Sequence, residues 1–301
     1  MSTQWAKFDT EAAWLEKRKG YVTSTETASL FGIQNEYAPS AFELWHIKKG
    51  LIDAPNIDNA YTRAGRILEP AICDLILLEN PSWKIRDLPL FAFDDTCRMG
   101  SSFDREAVID GKKWILELKT IGYREYKENF VEQDDGSIEA SQQYEVQLQH
   151  QLELACACPE SEYFGALLAA FIMDTRTLVY VWREHDPEIG QIFRKTIADF
   201  WEMEHPPEPD WSADRSLIAR LAPKVDPDWE LDATDDADLD SWCAAYREAK
   251  DGEKAHKEKA DESAARIIRR IGKARYIWTK AHRISASTVN GSKRISVKQF
   301  K

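Results

Sequence analysis

The stretch from Gly100 to Lys119, GSSFDREAVIDGKKWILELK, constrains the chain more than any other. Asp110-Gly111 separates two runs in which apolar and polar residues alternate, the strongest short-range signal for a two-residue hairpin. With those two residues as the loop, Ile109 pairs with Lys112, and counting back along both strands sets Asp104 opposite Glu117. Directly paired residues point to one face, with Cβ atoms about 5 Å apart. The period of two adds Lys119 to that face and assigns Trp114, Leu116 and Leu118 to the other. An Asp, a Glu and a Lys converge, with apolar residues behind them.

Two carboxylates so placed repel each other unless a positive charge lies between them. Mg2+, with Mn2+ as a substitute, suits that need: hard oxygens bind it, and it lowers the pKa of a water while neutralising charge that builds on a phosphate. Lys119 would orient the water or stabilise the transition state. Asp104 and Glu117 are the expected metal ligands, and the expected reaction is hydrolysis of a phosphodiester. The plainer alternative makes Asp104 a turn residue and puts Glu117 and Lys119 on a solvated strand face, because such spacings also arise by chance.

Ser102-Phe103-Asp104 followed by Glu117-Leu118-Lys119 resembles the core of the PD-(D/E)XK nucleases, and the flanking segments narrow the resemblance to the YqaJ-type viral recombinases, the lambda exonuclease family. Four blocks carry it in the family's order: RKGYVTSTETASLFG from Arg18 to Gly32, GRILEP from Gly65 to Pro70, the hairpin, and YEVQLQHQL from Tyr144 to Leu152. Together they span roughly the first 200 residues. The resemblance implies a 5'-to-3' exonuclease on double-stranded DNA that leaves 3' single strands for recombination. It implies DNA ends as the substrate, a ring-shaped homo-trimer, and a single-strand annealing protein as a possible partner. By the same resemblance Arg18 and Thr25 hold the 5'-phosphate, Tyr144 binds the DNA phosphate beside them, Glu69 completes the metal site or contacts its waters, and Gln147 serves the reaction. The family more often has Ser at the position of Thr25; Thr keeps the hydroxyl and adds a methyl. An endonuclease on the same core, and a non-catalytic module that binds DNA ends or a partner, are the rival readings.

The implied fold is α/β, a restriction-endonuclease-like core with a central mixed sheet flanked by helices and a small C-terminal helical and β-hairpin appendage. Residues 1–207 form the core, 208–239 a linker or extended wrap, and 240–301 the appendage. A chain of 301 residues with 43% hydrophobic content can bury such a core. No run of 18 apolar residues suggests a membrane span, and the N-terminus lacks the pattern of a signal peptide. The expected location is the cytoplasm of a bacterial or phage-infected cell. Five scattered cysteines make no disulfide framework, and Cys156-Ala157-Cys158 has no second pair to complete a zinc or iron-sulfur site. The net charge of -12 is unusual for a nucleic-acid binder, yet Arg266 to Lys301 holds eleven Lys and Arg and no Asp or Glu.

In chain order, residues 1–30 read as helix with a break near Gly20, carrying Trp5, Phe8, Trp14 and Leu15. Thr23, Ser24 or Thr25 would cap the second piece, with Glu26 in its first turn, and a helix N-terminus beside Arg18 would suit a phosphate. Ala41 to Lys49 is a helix ended by Gly50, and Pro55 to Asn59 a loop. Tyr61 to Glu79 is a helix with Ile67, Ala71, Leu75 and Leu78 as its buried stripe and Glu69 off that stripe. Leu88 to Phe93 is a strand, and Gly122 to Gly136 a loop or short helix. Gln142 to Leu154 is a helix with Leu148, Leu152 and Ala155 in the core and Tyr144, Gln147 and Gln151 on a neighbouring face. His150 reads as a packing or surface residue. Tyr163 to Met173 and Thr177 to Trp182 are strands, and Ile189 to His205 a helix. Asp240 to Lys250 and Glu258 to Arg283 are helical, as a hairpin or one long kinked helix. Asn290-Gly291 signals a last hairpin that pairs Ile284 with Val297 and Ala286 with Ile295. Its basic charge would track DNA or dock an annealing protein, unless the segment merely packs on itself.

Overall fold

The computed structural model describes residues 3–33, 38–55, 59–156, 161–228, 230–290 and 292–300. The chain divides into two compact units, Met1–Pro223 and Lys224–Lys301. Among the described residues the first unit opens with β1 (Gln4–Ala6), α1 (Glu11–Lys19), β2 (Val22–Thr23), a 3-10 helix (Thr27–Phe31) and α2 (Ala41–Lys48). Then come α3 (Ala60–Glu79), β3 (Lys84–Asp87), β4 (Phe91–Asp94), β5 (Met99–Ser102), β6 (Arg105–Ile109) and β7 (Lys112–Ile121). The unit continues through α4 (Tyr123–Asn129), β8 (Val131–Glu132), β9 (Ile138–Glu139), α5 (Gln142–Cys156), β10 (Tyr163–Ile172), β11 (Thr177–Arg183), α6 (Pro187–Glu202) and α7 (Arg215–Leu221). The second unit holds α8 (Ala237–Ile271), β12 (Tyr276–Trp278), β13 (His282–Val289) and β14 (Ser292–Gln299).

The expected hairpin forms the middle of a five-stranded sheet in the order β11-β10-β7-β6-β3. Asp110 and Gly111 have φ of 50° and 78°, the positive pair that a type I' turn requires, and Ile109 pairs with Lys112 as the turn chemistry dictates. The ladder runs back to Arg105 opposite Leu116, so Asp104 and Glu117 follow in register. β10 joins β7 in parallel, with Leu168 beside Glu117, and the remaining neighbours are antiparallel. The sheet is therefore mixed and flanked by helices. Trp114, Leu116 and Leu118 pack with Ile72, Cys73 and Ile76 of α3 on one face. Ile115 and Ile121 join Leu148 and Leu152 of α5 and Phe193 and Ile197 of α6 on the other. A second sheet, β1-β4-β5-β2, lies against this second layer.

Several local expectations differ from the structure. Residues 4–6, read as helix, form a strand paired with β4, because Trp5 stacks on Phe103 at 5.1 Å and a three-residue edge strand leaves no periodicity. No helix capped by Thr23, Ser24 or Thr25 follows; the element is a five-residue 3-10 helix whose N-cap residue, Glu26, makes no side-chain cap. Glu26 instead accepts from the Thr23 N–H at 2.8 Å and pairs with Lys48 at 2.8 Å. The buried stripe of α3 is Ile72, Cys73 and Ile76, while Ile67 and Leu78 are both 76% exposed. The strand expected over Leu88 to Phe93 is β4, preceded by the unforeseen β3. Gly122 to Gly136 contains α4 and β8, the latter paired with β9. α8 ends at Ile271 rather than Arg283, and β12 occupies residues 276–278. Residues 208–239 are divided between the two units, and Ser40 donates to Asp214 at 2.6 Å in the first. The last hairpin pairs Ile284 with Val297 and Ala286 with Ile295; its Gly291, like Cys158 and part of the Pro55 to Asn59 loop, lies outside the described residues.

Candidate active site

The site is built where β7 passes under α5. β7 alternates so that Glu117 and Lys119 point to the α5 side, and α5 presents Gln147 and Gln151, one turn apart. That spacing matches the two oxygens of one carboxylate. Gln147 Nε2 donates to Glu117 Oε1 at 2.6 Å and Gln151 Nε2 to Glu117 Oε2 at 2.8 Å. Lys119 Nζ donates to Glu117 Oε1 at 2.7 Å. Glu117 is only 4% exposed, so burial strengthens each of these contacts.

Asp104 stands beside Glu117 at the end of β6, and its Oδ2 accepts from the Leu118 N–H at 2.9 Å. Burial, then the charge of Glu117, pushes its pKa up to about 7, while Lys119 and the Leu118 N–H pull the other way. Burial would lower Lys119, but Glu117 and Asp104 outweigh it and hold the ammonium well above its ordinary value. The pocket thus holds more anionic demand than one lysine satisfies.

Glu69 reaches the same place. With the packed stripe of α3 at Ile72 and Cys73, Glu69 lies three and four residues before them on the sheet-facing side. It meets Arg105 at 3.5 Å, and Arg105 also pairs with Asp87 at 3.1 Å. Burial raises the Glu69 carboxyl, with Glu117 adding to the rise and Arg105 and Lys119 opposing it.

Tyr144 lies one turn before Gln147 and donates to Glu125 of α4 at 3.0 Å. Its ring centroid is 5.6 Å from Lys119 Nζ, on a side chain that is 22% exposed. Gln149, by contrast, leaves the site: it donates to the Glu184 carbonyl at 2.9 Å and accepts from the Asp186 N–H at 3.0 Å. His150 is fully buried, with Nε2 donating to the Gly100 carbonyl at 3.0 Å and Nδ1 2.7 Å from Thr27 Oγ1. Gln151 is the residue that the sequence named but gave no role. Its only advance signal was its place on the face of Tyr144 and Gln147.

Arg18 and Thr25 flank β5, the strand that leads into Asp104. Arg18 stacks on Trp14 at 4.7 Å, and the Trp14 indole N–H donates to Ser102 Oγ at 2.9 Å. Burial lowers the Arg18 pKa, partly offset by Glu26. Thr25 is exposed, with its hydroxyl 3.4 Å from that of Thr23, and Thr23 pairs with Gly100 of β5. A hydroxyl and a guanidinium therefore lie near β5, ahead of Asp104, without a helix N-terminus between them.

A hard divalent cation fits this donor set by its chemistry. Asp104 and Glu117 offer carboxylate oxygens side by side, and burial first, then the charge of Glu117, raises the Asp104 carboxyl. Gln151 Oε1 is also buried without a hydrogen-bond donor. Among the described residues no cluster of three or more His, Cys, Asp or Glu is arranged as a metal cage. Two protein carboxylates with the remaining positions left to water and phosphate is the usual demand of Mg2+.

Residues 13–157 match the YqaJ-like viral recombinase domain. Among solved structures the chain is similar to an alkaline exonuclease, LHK-Exo, from Laribacter hongkongensis, with 17% identity over 69% of this chain and 96% of that one and a TM-score of 0.47. The same exonuclease in complex with dAMP gives 18% identity, 70% and 100% coverage, and a TM-score of 0.47. No curated protein matches the chain.

Proposed function

We propose, from the match of residues 13–157 to the YqaJ-like viral recombinase domain, that the protein is a Mg2+-dependent exonuclease that digests one strand of duplex DNA from its 5' end and leaves a 3' single strand for recombination. The observation that carries this reading is the buried Glu117 carboxylate, held by Lys119, Gln147 and Gln151 beside Asp104. Asp104 and Glu117 would hold the ion, with Mn2+ as a substitute for Mg2+. When bound, it supplies Lewis acidity toward the scissile phosphate and a water acidified for attack.

The protein's own groups do the rest. Lys119 keeps its proton, since its two carboxylate neighbours raise its pKa, and presents a fixed positive charge where the phosphate gains negative charge. Gln147 and Gln151 hold both oxygens of Glu117 without adding charge, which fixes the carboxylate plane. Tyr144, beside Lys119, would contact the DNA phosphate, and Glu69 pairs with Arg105 at the base of β6. Arg18 and Thr25 would take the terminal 5'-phosphate, Arg18 by a charge-assisted contact and Thr25 by its hydroxyl. The family likeness adds a ring-shaped homo-trimer, an annealing protein as partner and a bacterial cytoplasmic setting to the proposal. No helix among the described residues is long and apolar enough to cross a membrane.

The test is digestion of linear duplex with Mg2+, comparing 5'-phosphorylated, 5'-hydroxyl and closed-circular DNA, with Lys119→Ala alongside. Expected are mononucleotides from phosphorylated ends, intact circles, and a rate for the variant lower by about 10^2–10^3. Cut circles would replace the exonuclease by an endonuclease. End binding without cleavage by the unaltered protein would leave a binding module.

A further inference from the structure

The second unit carries a surface that the proposed nuclease chemistry does not use. Its strands lie in the order β12-β13-β14, and directly paired residues share a face. Tyr276 pairs with Ser285 and Ser285 with Ser296; Trp278 pairs with Arg283 and Arg283 with Lys298; Ser287 pairs with Arg294. One face thus bears two aromatic rings, three cations and a row of hydroxyls. The other bears Ile277, Ile284, Ala286, Ile295 and Val297, of which Ile284 is buried, and β14 packs on α8.

The polar face is open to solvent: Tyr276 is 41% and Trp278 63% exposed. Their ring centroids lie 6.2 Å apart. The guanidinium groups of Arg275 and Arg283 sit 5.1 and 5.3 Å from the Tyr276 centroid. A cleft of roughly 360 Å3 is lined by Arg275, Tyr276, Ser285, Ser287 and Arg294. No acidic residue occurs from Arg266 to Lys301, in a chain whose net charge is -12.

A solvated sheet face needs polar residues but not this combination. Two exposed rings leave apolar area in water, and the cations on their face have no acidic partner within the segment. Both features suit one ligand class. Unpaired bases stack on aromatic rings, and phosphates take the arginines and hydroxyls. A duplex keeps its bases stacked and offers the rings nothing.

We propose that this face is a binding platform for single-stranded DNA, with bases on Tyr276 and Trp278 and the backbone along Arg283, Arg294 and Lys298. Contact with ring faces and phosphates makes it indifferent to sequence. The choice of DNA rests on the nuclease reading; the site itself uses none of the active-site residues.

The test is fluorescence anisotropy of a labelled 20-nucleotide oligothymidine, and of a blunt duplex of equal length, with the full chain in EDTA. The unaltered chain should prefer the single strand. Tyr276→Ala with Trp278→Ala should weaken single-strand binding about tenfold or more, and Tyr276→Phe with Trp278→Phe should restore it. Arg283→Ala with Arg294→Ala should weaken binding and flatten the plot of log affinity against log salt by about 1.4. Digestion of duplex with Mg2+ should be unchanged in all of these variants. The platform is overturned if the unaltered chain ignores single strands, or if loss of the rings leaves affinity intact. Inactivity on duplex by a chain that shows the expected binding pattern would sink the nuclease reading and leave this one standing.

Discussion

Glu117 shows how neutral side chains can govern a charged one. Its carboxylate is met by one ammonium and two amide N–H groups, and the amides come from a single helix turn of α5. Removing one amide leaves an oxygen free to rotate and a buried acceptor partly unpaired. Gln147→Ala and Gln151→Ala should each lower kcat on duplex DNA about 10- to 100-fold, the usual cost of losing a partner that orients a ligand. KM for DNA should change little, because neither residue is assigned a contact with DNA. A larger effect on KM than on kcat in steady-state digestion would show that they touch substrate instead. His150 offers a test on stability rather than rate. Burial lowers its pKa from 6.5 to about 3, so the unfolded chain takes up a proton first as pH falls. Its contribution is complete above pH 6.5 and is lost progressively toward pH 3. In urea unfolding, the stability difference between the unaltered chain and His150→Gln should shrink between pH 7 and 5 by roughly 2 kcal/mol, a comparison that cancels the opposing contribution of the raised Asp104 carboxyl, present in both chains. His150→Gln should be less stable at pH 7 yet show a shallower acid limb.

At the scale of elements, what could be read from the sequence was what neighbouring residues decide. Asp110-Gly111 specified its turn and, through it, the facing of Asp104, Glu117 and Lys119, because turn chemistry and the period of two act within a few residues. Asn290 did the same for the last hairpin. α3 was found, with Asn59 and Thr62 forming its capping box, but its inward face was misjudged. Ile67, Leu78 and Ile76 are equally apolar, and only the packing of the sheet selects among them; Glu69 looked peripheral for the same reason. Gln151 was indistinguishable from a solvent-facing glutamine until β7 was placed beneath it. Tertiary closeness also explains Gly165. A Cβ there would lie 2.5 Å from the Arg183 carbonyl and 2.5 Å from the Trp114 ring, where β10 runs between β7 and β11. Gly165→Ala should destabilise the fold by about 1–3 kcal/mol, seen as a lower urea midpoint with an unchanged slope.

At the scale of the molecule, two units share one chain, and the segment joining them shows where the chain is open to attack. Residues 222–228 and 230–232 are exposed and lie outside helix and strand. Brief trypsin treatment should therefore cut first near Lys224, and mass spectrometry should recover a fragment ending there before any cut within β7 or β10. The parallel pairing of β7 with β10 has another consequence, in the order of synthesis. A ribosome releases Asp104, Glu117 and Lys119 first, then α5 with its two glutamines, and only afterwards the strand that pairs with β7 on its open side. Until β10 emerges, the nascent chain carries unsupported carboxylates on an uncovered edge, the kind of edge that recruits other chains. A translation product truncated before β10 would therefore be prone to aggregate, and the carboxylate strand gains its support only as its own sheet closes.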